Sequence, residues 1–160
     1  PGADLPMVHT VDQVPQIDLG EKVVIIGGGA QGAEEGLVLQ QMGRTVTVVE
    51  MRDRIGLGAP YLHYMAVNKE YQKPDAPTVL VNSKCIRITE EGVLVEHIHT
   101  GERTLCPADT VLLAIGMRAD IDEVEAYRNC ALEFRKIGDC NKPATMTEAV
   151  RLGYDVAFGL

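Results

Sequence analysis

An unbroken apolar run over residues 23–26 leads directly into three glycines spaced G-x-G-x-x-G, and this stretch constrains the fold more than any other. Four consecutive β-branched residues are typical of a strand that is covered on both faces. A helix is predicted from about Ala30 to Met42, where Gly43 ends it, and the β-branched run Thr45–Val49 predicts the next strand. The stretch therefore predicts a strand–helix–strand unit with a glycine-rich turn after its first strand.

The three glycines have the spacing of a dinucleotide-binding turn. Gly27 permits a tight turn, Gly29 lets the backbone approach a pyrophosphate without a Cβ, and Gly32 lets the helix pack closely on the sheet. Free amides and the positive end of the helix dipole would then face the phosphates. Glu50, at the end of the second strand, is placed to accept hydrogen bonds from the adenosine ribose. The sequence thus predicts a dinucleotide site.

Two alternatives share this glycine spacing. A glycine-rich turn can serve only to pack a helix against a sheet, and a similar turn occurs in sites for methyl-donor cofactors. Methyl-donor sites usually carry an acid just before the glycines, where this chain has Ile26. The presence of strand, helix, second strand and Glu50 in register favours the dinucleotide interpretation.

The nature of the dinucleotide depends on the residues after the second strand. Glu50 favours NADH over NADPH, because a carboxylate repels a 2′-phosphate. Arg52 and Arg54 keep NADPH open, since a guanidinium can accommodate that phosphate, although both arginines can equally belong to a solvated charged loop. We also assign Gly28, Gln31 and Met51 to the cofactor site.

Composition limits the partners of the chain. Its 15 basic and 23 acidic residues give a net charge of −8, which argues against nucleic acid and anionic membranes as partners. No apolar run approaches the roughly 20 residues of a membrane span, and no signal peptide is apparent. His97 and His99 share a strand face without a third ligand, so we predict no metal site. We expect a cytoplasmic protein with reduced, non-catalytic cysteines, since no zinc, cluster or redox spacing links Cys85, Cys106, Cys130 and Cys140.

The rest of the chain completes an α/β pattern. Residues 84–106 contain three short alternating segments separated by turn signals, which predicts a three-stranded antiparallel meander. On the first helix, Ala33, Leu37 and Val38 are predicted to face the sheet. The predicted fold class is α/β: a Rossmann-like parallel sheet with helices on both faces, plus the meander. The remaining predicted elements are strands over residues 8–11, 78–81, 110–115 and 133–137, and helices over 61–73, 120–127 and 145–158.

Three stretches carry a family resemblance: VVIIGGGAQGAEEGLVLQQMGRTVTVVEM, ADTVLLAIGMRAD and KIGDCNKPATMTEAVRLGYDVA. With the meander between the first two, they resemble the NADH-binding domain of FAD-dependent pyridine nucleotide oxidoreductases over nearly the whole chain. The closing stretch is most similar to old-yellow-enzyme-like NADH:flavin oxidoreductases, which include 2-enoate reductases and bacterial 2,4-dienoyl-CoA reductases. In that family an N-terminal barrel holds FMN and an iron–sulfur cluster, and a C-terminal part holds FAD with the NADH domain inserted.

The resemblance implies roles for further residues. Glu34 matches the acid of the GxGxxGxE pattern, which lies towards the nicotinamide. Gly116 ends the second glycine motif, on the strand that crosses back to the flavin domain, and Met117 and Arg118 would edge the nicotinamide pocket. Asp139 matches the aspartate that reaches FAD in the intact enzyme. Hydride would pass from nicotinamide to FAD, and the parent would reduce an activated carbon–carbon double bond.

The resemblance also implies a division of the chain. Residues 1–21 are expected to be a lead-in from a flavin domain, 22–116 the NAD(H)-binding domain, and 117–160 a return segment belonging partly to the FAD domain. The start at Pro1 and the single dinucleotide fingerprint predict a piece of a longer protein, with the rest of that chain as its partner. Such a piece would bind NADH and lack catalytic activity, with no catalytic side chain of its own. The alternative is a non-redox module that binds ADP or NAD for a structural or regulatory purpose.

Overall fold

The computed structural model describes residues 1–159, which form two compact units, one over 1–115 and the other over 116–159. The first unit contains all the strands that are assigned in this part of the chain, and the second is built from short helical segments. The strands are β1 (Val8–Thr10), β2 (Lys22–Ile26), β3 (Thr45–Val49), β4 (Thr78–Leu80), β5 (Ser83–Thr89), β6 (Gly92–His97), β7 (Arg103–Pro107) and β8 (Thr110–Leu113). The α-helices are α1 (Ala30–Gln41), α2 (Tyr61–Glu70), α3 (Ile121–Ala126) and α4 (Met146–Phe158).

The parallel sheet of the first unit has the strand order β1-β8-β2-β3-β4. Its central strand β2 pairs with β3 on one side and with β8 on the other, so that Val24 lies between Thr47 and Val111. The carboxyl ends of β2 and β3 are therefore neighbours, and the glycine turn that follows β2 lies beside Glu50, which follows β3. This topology places ligands at the carboxyl edge of the sheet.

The two faces of the sheet have different coverings. Val23 and Ile25 pack with α1 and α2, whereas Val24, between them in sequence, packs with Val93 and Val95 of the meander. The α/β fold class with a separate β5-β6-β7 antiparallel sheet is confirmed. Within residues 1–115, however, the helices that we expected on both faces lie on one face, and the meander covers the other.

The inward face of α1 differs from the prediction at one position. Ala33 is fully buried, but Val38 is 47% exposed and Leu39 is buried in its place. The helix packs on the sheet through Gly32, Ala33 and Gly36, and this face continues to Leu39. Val38 follows Ala33 by five residues, which turns its side chain about 140° away at 3.6 residues per turn.

The second unit contains α3, a 3-10 helix at Gly138–Cys140 and α4. The strand predicted over residues 133–137 is wrong, because this stretch packs against the end of α3 instead of pairing with a strand. The Arg128 guanidinium lies 5.4 Å from the centroid of the Phe134 ring, and Lys136 donates to Glu125 at 2.8 Å. Over residues 1–159, no helix is long and apolar enough to cross a bilayer.

Candidate functional site

The turn after β2 is packed so tightly that Gly27 and Gly32 leave no room for a side chain. Gly27 has a φ of +107°, and a Cβ there would lie 2.3 Å from the Ala114 carbonyl oxygen. A Cβ on Gly32 would lie 1.9 Å from the Gly27 carbonyl oxygen, which is a backbone atom that cannot rotate away. These contacts bring the start of α1 directly against the end of β2, as the glycine spacing predicts.

Gly29 is different, because the space above it is open. It is the N-cap of α1, with φ −62° and ψ −171°, and no side chain caps the helix. A Cβ on Gly29 would meet only the Leu57 carbonyl oxygen at 3.6 Å and the Arg52 Nη2 at 3.9 Å. The first hydrogen bond within the helix runs from the Ala33 amide to the Gly29 carbonyl (3.0 Å). The Gln31 amide comes before this bond, so it has no partner within the helix. An open helix start that no side chain caps suits an anionic group.

Glu50 lies at the carboxyl end of β3 and is only 6% exposed. Its Oε2 accepts a hydrogen bond from the Gly28 amide at 2.8 Å. Its Oε1 accepts two from Arg52, one from the amide at 2.9 Å and one from Nε at 3.0 Å. Burial by itself raises the pKa of Glu50, but the hydrogen bonds from Arg52 and Gly28 outweigh it and hold the pKa below its ordinary value. The carboxylate is therefore ionised at neutral pH.

This pKa shift predicts how Glu50 contributes to stability. Because the folded-state pKa lies below the ordinary value of 4.5, the ionised carboxylate stabilises the fold above about pH 4.5, and this contribution disappears as the pH falls through the folded pKa. Urea unfolding of wild type and Glu50→Gln between about pH 7 and 3 should show a difference in the free energy of unfolding that shrinks in acid. Glu102→Gln, at an exposed residue between β6 and β7, controls for the loss of one carboxylate. A difference that widens below about pH 4.5 would contradict the assignment.

The loop after Glu50 clamps the glycine turn. Ile55 is buried beneath Gly28, whose missing Cβ would lie 2.9 Å from the Ile55 Cγ2. The Gly56 amide donates to the Gly28 carbonyl at 2.7 Å, and the Leu57 carbonyl accepts from the Ala30 amide at 3.2 Å. The loop thereby fixes the backbone that leads into α1. The sequence predicted only a loop here, and the apolar Ile55 directly after three charged residues was the available signal.

Two other candidate residues of the first unit lie on its surface. Glu34, in the second turn of α1, has its Oε1 2.7 Å from the His63 Nε2 of α2, and both side chains are half exposed. No sequence pattern indicated His63, because the pair depends on how the two helices pack. Met51 follows Glu50 and its side chain is 61% exposed. Neither Glu34 nor Met51 joins the hydrogen-bonded group of Gly28, Glu50 and Arg52.

The remaining candidates belong to the second unit. Gly116 has a φ of +95°, which suits glycine at a turn. Asp139 lies in the 3-10 helix, and its Oδ1 accepts from the Ala144 amide at 3.2 Å. Within residues 1–159, no three His, Cys, Asp or Glu side chains are grouped to hold a metal ion.

Comparison with known proteins identifies a family for the chain. Residues 2–151 match the family described as pyridine nucleotide-disulphide oxidoreductase. The chain is similar to the cinnamate reductase of Clostridium sporogenes, with 35% identity over 145 residues that cover 88% of this chain and 21% of that protein. It is also similar to the bilirubin reductase of Mediterraneibacter gnavus, with 34% identity over 134 residues that cover 83% of this chain and 20% of that protein.

Among solved structures, the 2-naphthoyl-CoA reductase in complex with 2-naphthoyl-CoA superposes with a TM-score of 0.87 and 26% identity. The match covers 99% of this chain and 24% of that one. The chain therefore spans about a fifth to a quarter of the length of the proteins that it resembles.

Proposed function

The chain belongs to the pyridine nucleotide-disulphide oxidoreductase family, and we propose that its residues 22–116 bind NADH within a larger flavin-dependent enzyme. The observation that carries this proposal is the open start of α1 at Gly29, beside the buried carboxylate of Glu50. The helix start offers amides and a positive dipole end to a pyrophosphate. The carboxylate offers an acceptor to a ribose hydroxyl, because Oε2 has only one hydrogen bond, from Gly28.

The residues present fit such a nucleotide. Space is filled by neighbouring atoms at Gly27 and Gly32, whereas Gly29 alone of the three motif glycines faces open space. The Arg52 guanidinium, close to Gly29, adds positive charge on the side where phosphates would lie. A glycine that served only helix–sheet packing would not need the open space at Gly29.

The chain itself contributes position and charge to the reaction. When bound, the nicotinamide supplies a hydride that a flavin accepts, and no acid, base or nucleophile from this chain is required. Glu50 and Gly28 would fix the adenosine half. Glu34, held by His63, is assigned to the nicotinamide half through the family pattern. Gly116 and Asp139 would serve the return strand and the FAD contact of the intact protein.

We extend the proposal to the parent reaction, the reduction of an activated carbon–carbon double bond by an old-yellow-enzyme-like flavoprotein. Support comes from the names of two similar proteins, cinnamate reductase and 2-naphthoyl-CoA reductase. Cinnamate has a double bond conjugated with a carboxylate, and 2-naphthoyl-CoA has an aromatic ring conjugated with a thioester. FMN, an iron–sulfur cluster, FAD and the substrate would then lie mostly in the length of the parent that this chain does not span. The 160 residues alone would bind nucleotide without turnover, in the cytoplasm.

Calorimetric titration tests the function. NADH is expected to bind the chain about tenfold or more tighter than ADP, because the nicotinamide half adds contacts beyond those of the adenosine half. Nicotinamide mononucleotide serves as the control for that half alone. Equal affinity for ADP and NADH would favour the non-redox nucleotide-binding module, and failure of both ligands to bind would overturn the proposal.

A further inference from the structure

Asn82, two residues past the end of β4, has a backbone conformation that favours glycine. Its φ is +49°, and every other residue with a positive φ among residues 1–159 is a glycine. Asparagine enters this left-handed region more readily than most residues, but at a cost that glycine avoids. Residues held in such conformations cluster at ligand sites, so the side chain of Asn82 is a candidate for a role in binding.

Long-range hydrogen bonds fix the Asn82 backbone in this conformation. Its amide donates to the Arg52 carbonyl at 2.9 Å, and its carbonyl accepts from the Ile98 amide at 2.7 Å. The next amide, of Ser83, donates to the Glu50 carbonyl at 2.9 Å. Asn82 is therefore joined directly to the segment that carries the buried carboxylate of Glu50.

The Asn82 side chain is half buried, and the fold does not use its polar group. The neighbouring Ser83 hydroxyl donates to the Val81 carbonyl at 2.8 Å. Within residues 1–159 the side-chain amide of Asn82 makes no such bond and is not an enclosed group, so it remains open to a ligand. It offers one acceptor oxygen and two donor hydrogens. Glycine would suit the backbone here, so the retained amide indicates a function for the side chain.

The order of the strands indicates which part of a nucleotide would reach Asn82. The open helix start at Gly29 follows β2, Glu50 follows β3 and Asn82 follows β4, and these parallel strands are neighbours in that order. Neighbouring strands lie about 4.8 Å apart, and a nucleotide extends from phosphate through ribose to base. With phosphates at Gly29 and a ribose at Glu50, the base would lie at the end of β4, beside Asn82.

Exposed apolar side chains adjoin this position. Ile98, whose amide binds the Asn82 carbonyl, is 41% exposed, and Met51, directly before Arg52, is 61% exposed. Ligand sites combine apolar side chains with a few polar groups that fix orientation. A flat purine has apolar faces and a polar edge, so it needs both kinds of contact.

We propose that Asn82 is a specificity-determining residue that recognises the adenine base of the bound nucleotide. The proposal rests on the proposed function, because it assumes phosphates at Gly29 and a ribose at Glu50. An asparagine amide binds adenine with two hydrogen bonds: its oxygen accepts from the 6-amino group and its nitrogen donates to N7. Hypoxanthine has an oxygen in place of the amino group, and that oxygen would face the amide oxygen with no hydrogen between them.

ADP and inosine 5′-diphosphate isolate this contact, because they differ only in the base. Wild-type chain is expected to bind ADP about tenfold or more tighter than inosine diphosphate by calorimetry. Asn82→Gly removes the amide and keeps the backbone conformation. The two affinities should then agree within about threefold, through weaker binding of ADP, while the Tm stays within about 3 °C of wild type.

Asn82→Ala is the matched control for the backbone, because it removes the same amide but leaves a Cβ in the left-handed region. Its Tm should be roughly 2–4 °C below that of Asn82→Gly, with the same ratio of the two affinities. If Asn82→Gly keeps the wild-type ratio, the proposal is overturned and Asn82 serves the turn alone. Equal binding of both ligands by wild type overturns it too, and leaves the proposed function standing. Binding of neither ligand removes the proposed function itself.

Discussion

Gly29→Asp is expected to leave the chain folded and to eliminate NADH binding. The backbone of Gly29 has φ −62°, which any residue adopts, and a Cβ there would meet no atom closer than 3.6 Å. Aspartate is a preferred N-cap residue, so stability should be unchanged or rise by a few tenths of a kcal/mol. The added carboxylate would occupy the helix start and repel the pyrophosphate. We expect the affinity for NADH to fall by at least about a hundredfold, measured by calorimetry beside a thermal melt.

Gly29→Ser is the control for this substitution. Serine is also a good N-cap residue, but it is neutral and smaller, so the affinity should fall by only about tenfold. The comparison separates the charge from the loss of space. If Gly29→Asp binds NADH as wild type does, the phosphates do not lie at this helix start, and the proposed function loses the observation that carries it.

The core of the fold was predictable because its signals are local. The apolar runs at residues 23–26 and 45–49 and the glycines between them determine β2, α1 and β3 without help from distant residues. The helix face was predicted less well. Val38 and Leu39 are equally apolar, and the choice between them follows from the glycine contacts at Gly32 and Gly36, which are tertiary. The strand prediction over residues 133–137 was wrong for a related reason, because a strand needs a partner strand as well as apolar residues.

The site shows the same division. The sequence indicated Glu50 as a candidate because its distance from the glycines along the chain is set by one helix and one strand. Its hydrogen bonds to Gly28 and Arg52, which decide the charge of the site, depend on side-chain packing that no spacing indicates. The clamp by Ile55 and the contact of His63 with Glu34 join segments that are brought together only by the fold. The sequence thus predicted where a ligand would lie, and the geometry distinguished the contacts of neighbouring residues.

Gly32→Ala is expected to destabilise the chain and to weaken NADH binding together. The new Cβ would lie 1.9 Å from the Gly27 carbonyl oxygen and 3.0 Å from the Ala114 Cβ, so α1 must move away from β2. Alanine adds about 1 kcal/mol of helix propensity, but the overlap with backbone outweighs it. We expect a net loss of about 3 kcal/mol in the free energy of unfolding, and a Tm lower by roughly 6–12 °C.

Gly153→Ala, in the middle of α4, is the control for the same change in a helix. A Cβ there would meet only the Ile137 Cδ1 at 3.9 Å, so the propensity gain of about 1 kcal/mol should appear as a slightly higher Tm. Thermal melts and NADH titrations of both variants decide the point. A Gly32→Ala chain as stable as wild type would mean that helix and strand tolerate separation, and the glycine would then be needed only by the ligand. Loss of stability and binding together would mean that the contact between α1 and β2 is what holds the helix start in position for the phosphates.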